Sequence, residues 1–289
     1  MKSSLYKMMS RSLLLLAALG LLSACGASDP ESGQESEGES DSAGSDNPAS
    51  GALVVGMSWH WQLQASLNTG YGVDIYDVDL FDTDTSVIGD LQAQGRLVIC
   101  YFSAGSWEDW RDDAGDFEQA ALGNPLDGWP GEKWLDVRAS SLQAVMEARL
   151  DLAVDKGCDG VEPDNVDGYA NDSGFSLSGS DQLAYNRFLA SAAHERGLLI
   201  GLKNDLDQIS ELVTSFDFAV NEECYEYDEC ERLTPFIDAG KPVLHAEYAD
   251  GLVNDSEARA LFCDEMLALG LSSMVLPLEL DDSFRFACD

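Results

Sequence analysis

Apolar and polar positions alternate along this chain in a repeating order of short strand and longer helix. Met57 to Leu63 alternates large and polar residues and reads as a strand, and Val73 to Leu80 alternates strictly and reads as a second. About ten residues separate them, too few for a full helix, so the first strand–helix unit is degenerate. Thr85 to Gln94 is a short helix ended by Gly95. Arg96 to Phe102 is a continuous apolar run, as expected of a strand buried on both faces. Ser141 to Lys156 places Leu142, Val145, Met146, Leu150 and Val154 on one helical stripe, with Gly157 after it. Gly160-Val161-Glu162-Pro163-Asp164-Asn165 is a strand that ends in acids and an amide, and Pro163 marks where regular pairing stops. Strands then follow at Leu198–Lys203, Phe216–Asn221, Pro242–Tyr248 and Ser273–Leu278. Helices are expected at Asp181–Arg196, Leu206–Val213, Glu231–Ala239 and Ser256–Leu269. Eight strands with helices between most of them predict an α/β fold, a (β/α)8 TIM-like barrel, with a long loop after strand 3 from Ser103 to Asp136. A doubly wound open sheet is the competing architecture, disfavoured because no glycine-rich phosphate loop follows the first strand.

The ends of the chain differ from this middle. Lys2, Lys7 and Arg11 precede the apolar run Ser12 to Leu22, which is too short to span a bilayer. Leu22-Ser23-Ala24-Cys25 matches the lipobox of bacterial lipoproteins, so residues 1–24 read as a lipoprotein signal peptide and Cys25 as the lipidated N-terminus. An ordinary secretory signal with a chance cysteine is the alternative. The residue after Cys25 is not Asp, which favours the outer membrane of a Gram-negative cell. Residues 25–50, almost all Ser, Gly, Glu, Asp and Ala, cannot bury a core and read as a disordered tether. Residues 51–289 are left for the barrel.

Charge and cysteines narrow the function. The net charge is −37; residues 1–50 hold seven acids and three bases, which leaves 46 acids against 13 bases in the remainder, a net −33. Nucleic-acid binding is excluded at that charge. A cationic ligand drawn into an acidic cleft and a merely solvated acidic surface are both compatible with it. Without Cys25, six cysteines remain, an even number that suits disulfides in an exported chain. Cys224–Cys230 would close a small loop beside a strand end and Cys263–Cys288 would pin the C-terminal tail. Cys100 and Cys158 either pair or stay as separate thiols. No Cys–His spacing fits a metal site, and with three His a zinc centre is not expected; no cofactor is.

The strand ends carry the chemistry. Asp77 and Asp79 end strand 2, Tyr101 and Ser103 strand 3, Glu162, Asp164 and Asn165 strand 4, Lys203 and Asn204 strand 5, Asn221 and Glu222 strand 6, and Glu247 and Tyr248 strand 7. In a barrel these meet at one face around one cavity. Each acid taken singly could instead be a loop or cap carboxylate, and Asp205 and Asp207 are read as caps. His60, His194 and His245 are read as packing or surface residues.

Several of these stretches together resemble a known family. Trp59-His60-Trp61-Gln62-Leu63, Val73 to Asp82, Cys100 to Glu108, Gly160 to Tyr169, Gly201-Leu202-Lys203-Asn204-Asp205 and Ala219 to Cys224 are similar to glycoside hydrolase family 114, the endo-α-1,4-polygalactosaminidases. The resemblance runs in consistent order from about Trp59 to the C-terminus. It implies a TIM-like barrel that hydrolyses α-1,4-linked galactosamine polymers from within the chain, with Asp164 and Glu222 as the catalytic pair. Glu222 is assigned as general acid/base, and Asp164 as nucleophile or water-activating base. Trp59, Asp77, Asp79, Tyr101, Trp107, Glu162, Asn165, Lys203, Asn204, Glu247 and Tyr248 are the expected substrate-binding residues, with Trp59 and Trp107 as stacking faces. Two positions depart from the family pattern: Glu223 stands where Gln is common, and Cys158 where an aromatic is. The expected protein is a monomer in the cell envelope or outside the cell, lipid-anchored, whose partners are galactosamine-containing polysaccharide and, through lipid alone, the membrane. A carbohydrate-binding lipoprotein without turnover, or a hydrolase of another amino-sugar polymer, are the alternatives.

Overall fold

The computed structural model describes residues 53–288. Residues 1–50, with the signal peptide, Cys25 and the tether, lie outside them. Among the described residues no helix is long and apolar enough to cross a membrane.

The fold is mixed α/β, built on a curled nine-stranded sheet that is parallel except at its last strand. Its strands are β1 (Trp59–Gln62), β2 (Ile75–Asp79), β3 (Leu97–Ser103), β7 (Gly160–Asp164), β8 (Leu199–Lys203), β9 (Phe218–Glu222), β10 (Val243–Glu247), β11 (Ser272–Val275) and β12 (Phe286–Ala287). They pair in that order, with β12 antiparallel to β11. All eight strands expected from the sequence are present, within two or three residues at each end. Between β1 and β2 no helix is found among the described residues.

The stretch after β3 is not irregular. It folds into a small antiparallel sheet of β4 (Ser106–Glu108), β5 (Leu122–Pro125) and β6 (Glu132–Leu135), in the order β4-β6-β5. Short strands crowded with Trp, Pro and Gly have no clean period, so the sequence pattern hides them.

Alternation along each strand sorts the core into two layers. Trp59, Trp61, Ile75, Leu97, Ile99, Phe218, Val220, Leu244, Ala246 and Met274 form one apolar cluster, drawn from strands at both ends of the sheet, and fill the inside of the curl. Tyr76, Val78, Val98, Phe102, Val161, Ile200, Leu202, Ala219 and Val243 point the other way and pack under the helices. Inner positions leave no room to spare: a Cβ on Gly201 would lie 2.4 Å from the Phe218 ring. The last segment returns to the first strand. Trp59 Nε1 donates to the Ser272 carbonyl at 2.8 Å, and Leu63 N–H to the Leu280 carbonyl at 3.0 Å.

The helices, of which α1 (Thr85–Gln92) is the first, are stopped and started by local chemistry. α2 (Ser140–Lys156) ends at Gly157, whose φ of 86° is the left-handed conformation glycine adopts without strain. α3 (Gly179–Glu195) starts with a capping box in which Ser178 and Asp181 satisfy each other's backbone N–H. On α2, however, Val154 is 44% exposed and the buried stripe contains Arg149 instead. That guanidinium donates to the Ser103 carbonyl at 2.6 Å and pairs with Asp113 at 2.8 Å, which is what makes its burial tolerable.

Three disulfides are formed: Cys224–Cys230, Cys263–Cys288 and Cys100–Cys158. The last joins β3 to the turn before β7 across a sequence separation of 58, which by loop entropy stabilises the fold by about 4 kcal/mol. Cys158 therefore stands where it does as a staple.

Candidate active site

Three adjacent strands deliver their last side chains to one hollow at the carboxyl edge of the sheet. Each of them leaves the sheet through a residue with positive φ: Asn165 (61°) after Asp164, Asn204 (47°) and Asp205 (45°) after Lys203, and Glu223 (60°) after Glu222. Such backbone costs about 1 kcal/mol or more per non-glycine residue and persists only where neighbours hold it. The neighbours are identifiable. Asn204 Oδ1 accepts from the Glu222 N–H at 3.0 Å, Asn186 Nδ2 donates to Asp205 Oδ2 at 2.9 Å, and the Glu223 N–H donates to the Ala246 carbonyl at 2.9 Å. The sharp exits turn the catalytic candidates toward one another.

Lys203 is the hub. Its ammonium, 2% exposed, lies 3.0 Å from Glu162 Oε1, 3.0 Å from Asp164 Oδ1 and 3.2 Å from Glu222 Oε2. It also sits 4.8 Å from the centre of the Trp61 ring. Burial alone would lower this amine, but Asp164, Glu162 and Glu222 outweigh it and hold it well above the usual lysine range. Because Asp164 and Glu222 both touch one nitrogen, the two contacting oxygens are separated by no more than about 6 Å, the sum of the two contacts.

Asp164 is surrounded by donors. Oδ1 accepts from the Asn165 N–H at 2.6 Å and from Lys203 at 3.0 Å, and Oδ2 from the Tyr101 hydroxyl at 2.9 Å and Asn165 Nδ2 at 3.3 Å. Its carbonyl is clamped by the N–H groups of Ala104 and Gly105 at 2.9 and 3.0 Å. Glu222 is held at Oε1 by the Tyr248 hydroxyl at 2.5 Å. Both phenols are pushed well up, first by burial and then by the carboxylate each one faces, so they remain donors at any ordinary pH.

Below this layer lie Asp77 and Glu162, both fully buried. Neither Asp77 oxygen has a hydrogen-bond partner among the described residues. Burial, more than the neighbouring charges, holds Asp77 well above the usual carboxylate range and pushes Glu162 up to about 7. Two such buried acids share a single ammonium, Lys203, so the pair carries a proton near neutral pH.

The hollow thus gathers Asp77, Tyr101, Glu162, Asp164, Asn165, Lys203, Asn204, Glu222 and Tyr248, nine of the side chains read from the sequence. Four others are placed elsewhere. Trp59 is 2% exposed beneath the floor and stacks on Trp61, so it has no face to offer a sugar. Trp107 packs against the outer core, with its N–H on the Ala114 carbonyl and Lys133 over its ring at 5.4 Å. Asp79 is consumed at the rim by Arg111, at 2.6 and 3.0 Å, and by the N–H groups of Phe81 and Asp82. Glu247 points to the opposite face of β10, since strand side chains alternate and Ala246 and Tyr248 face in. There it accepts from Tyr225 N–H at 2.7 Å and meets His245 at 3.0 Å. Asp205 is no helix cap either: its backbone is left-handed and its carboxyl, pushed up to about 8 mainly by burial, is held by Asn186. Trp61 and Glu132 are the additions. Trp61 was legible as the inward partner of Trp59 two residues along, closer to the strand's end.

Gly105 allows the site to close. A Cβ there would lie 1.7 Å from the Asn165 carbonyl oxygen, an overlap only backbone movement relieves. Gly105→Ala is expected to cost about 3 kcal/mol or more of stability, measured by denaturant midpoint. Displacing Asn165 by even an ångström should also lower kcat roughly 100-fold in the protein that still folds.

Two carboxyl groups within reach of one glycosidic bond, at the carboxyl edge of a curled parallel sheet, are the equipment of a glycoside hydrolase. The model of glycoside-hydrolase family GH114 matches residues 40–289. The crystal structure of Aspergillus fumigatus Ega3 in complex with galactosamine is 42% identical and covers 85% of this chain and 100% of that one, with a TM-score of 0.79. The glycoside hydrolase domain of PelA from Pseudomonas aeruginosa is 18% identical over 78% of this chain and 96% of its own, with a TM-score of 0.60, a likeness of fold. A Deinococcus radiodurans protein described only as uncharacterized is 27% identical over 274 residues, 82% of this chain and 88% of its own. The chain belongs to glycoside-hydrolase family GH114.

Proposed function

We propose that this glycoside hydrolase cleaves internal α-1,4 linkages of a galactosamine-rich polysaccharide by a retaining mechanism. The observation that carries this is the single Lys203 ammonium in contact with both Asp164 and Glu222. The two contacting oxygens, no more than about 6 Å apart, are close enough for a nucleophile and an acid/base, and the anomer released distinguishes this pair from one that holds a water between its carboxyl groups. Asp164, fixed at both oxygens by donors, attacks the anomeric carbon. Glu222, on the Tyr248 side, protonates the departing oxygen and then activates water against the glycosyl–Asp164 ester. The choice of substrate draws on the relative crystallised with galactosamine. It is supported by the half-buried carboxyl of Glu223 beside Glu222, since a polymer of ammonium groups needs counter-charges at the mouth of the hollow.

We also read the curled sheet as a TIM-like (β/α)8 barrel with a degenerate first unit, closed where the last segment returns to β1. The test of function is chain shortening. Purified protein should release shorter chains from polygalactosamine, but not from chitosan at a comparable rate, with the N-acetylated polymer distinguishing the preferred acetylation. Binding without shorter products across pH 4 to 9 would leave a carbohydrate-binding protein.

For location, Cys25 is proposed to carry lipid and residues 25–50 to act as tether to the cell envelope. Cys25→Ser should move the protein from the membrane pellet to the soluble fraction and remove incorporated radiolabelled palmitate. An unchanged distribution would refute the anchor.

A further inference from the structure

A file of side chains runs from the small sheet after β3 to Asp164. Ser106 Oγ donates to Glu132 Oε2 at 2.6 Å, Ser103 Oγ and Ser106 Oγ are 2.7 Å apart, Asn165 Nδ2 donates to Ser103 Oγ at 3.0 Å, and the same amide donates to Asp164 Oδ2 at 3.3 Å. Ser103, Ser106 and Glu132 are all buried. Counting lone pairs, with Glu132 ionised, sets the direction of these bonds. Ser103 Oγ accepts from Asn165 Nδ2 and from the Ser106 N–H at 3.1 Å, which uses both its acceptor sites. Its own proton must therefore go to Ser106 Oγ, and the Ser106 proton must go to Glu132. With Glu132 ionised the file is ordered from Asn165 to Ser103 to Ser106 to Glu132 and ends on an oxygen that accepts; Asn165 Nδ2 also reaches Ser106 Oγ directly at 3.4 Å.

We propose that Glu132, in its ionised form, is a positioning residue that holds the Asn165 amide and through it Asp164, so that the small sheet gates the catalytic pair by protonation. This rests on the reading of Asp164 as nucleophile. An ionised Glu132 makes the 2.6 Å contact a charge-assisted bond that polarises the hydroxyls behind it. A neutral Glu132 either accepts more weakly or turns donor, and in the second case Ser106 has no acceptor left for its proton. The geometry places the switch in a useful range. Burial pushes Glu132 up to about 7, Glu108 opposite it on β4 and Asp164 add to the rise, and Ser106 and Arg111 oppose it. Because its protonated form dominates below that value, the hold on Asn165 weakens as pH falls and tightens as pH rises. Nothing about Glu132 was visible in the strand-end pattern, because it arrives from a strand outside the main sheet.

The file can be read without substrate. In wild-type protein the side-chain NH2 resonances of Asn165, followed by 1H–15N NMR, should show an inflection near pH 7. In Glu132→Gln, which keeps the shape and loses the charge, the amplitude of that inflection should fall by more than half. Ser106→Ala, which leaves Glu132 able to titrate but cuts the file, should do the same. In turnover, Glu132→Gln should lose the step in kcat near pH 7 and run about 10-fold slower above pH 8, with KM within threefold. Glu162 titrates in the same range, so the variants and not the wild-type profile decide. No inflection at Asn165, or one of undiminished amplitude in Glu132→Gln, overturns the proposal. An inflection lost as described in a protein that cleaves no polymer would leave the file intact and sink the hydrolase reading instead.

Discussion

Asp164→Asn will reduce kcat on galactosamine polymer by roughly 10⁴-fold or more while leaving polymer binding within a few-fold of wild type. The amide fits the same space and still meets Tyr101, but it cannot form the glycosyl ester. The residual rate would come from positioning and from the Glu222 side of the site. Reducing-end release measures the first quantity and calorimetric titration with a galactosamine oligomer the second. Glu222→Gln should fall by a similar factor on substrates with poor leaving groups and by less on an activated aryl glycoside, which needs no proton. Equal losses on both substrates would contradict the division of roles. A merely carbohydrate-binding protein would show no change in either variant, having no turnover to lose.

Lys203→Met has the second large effect, and it acts on stability as well as rate. Removing the ammonium leaves Glu162 in a fully buried site, with Asp164 and Glu222 beside it at 17% and 26% side-chain exposure. Breaking a buried ion pair from one side costs about 3–5 kcal/mol, and the partial exposure of two partners places this case at the lower end. A denaturant midpoint shift of about 3 kcal/mol is expected at pH 8, where more of the carboxyls are ionised. At pH 5 the loss should shrink, because Glu162, already raised to about 7 by burial, takes a proton and no longer needs a counter-ion. A loss that is the same at both pH values, or smaller than 1 kcal/mol, would mean the three contacts do little for the fold.

The strand ends made much of this site legible in advance. Buried strands are apolar for most of their length, so Glu162, Asp164, Lys203 and Glu222 at the exits stood out against Val161, Leu202 and Val220. Their convergence follows from one edge of one sheet. The misassignments have a common cause. A strand end has two faces, and Glu247 and Tyr248 are equally polar to a pattern reader, yet alternation sends one to the Tyr225 N–H and the other to Glu222. Trp59 and Trp107 read as flat faces for a sugar; depth along the strand places one beneath the floor, and the small sheet takes the other. Asp79 was lost to Arg111, thirty-two residues later in the chain. Arg149 in a helix stripe and Glu132 on a three-stranded insertion are charged groups in buried positions, and hydrophobic periodicity reads such residues as solvent-facing. Long-range partners decide those cases, and no local pattern carries them.

The spacing of the two carboxyl groups makes one direct demand on the chemistry. If Asp164 forms an ester with the sugar, two inversions restore the starting configuration. One-dimensional proton NMR of α-1,4-galactosamine oligomers, recorded in the first seconds after adding enzyme, should show the α-anomer of the new reducing end before mutarotation supplies the β. The β-anomer appearing first would mean that water, not Asp164, attacks the anomeric carbon, and the account of the paired carboxyls would be wrong.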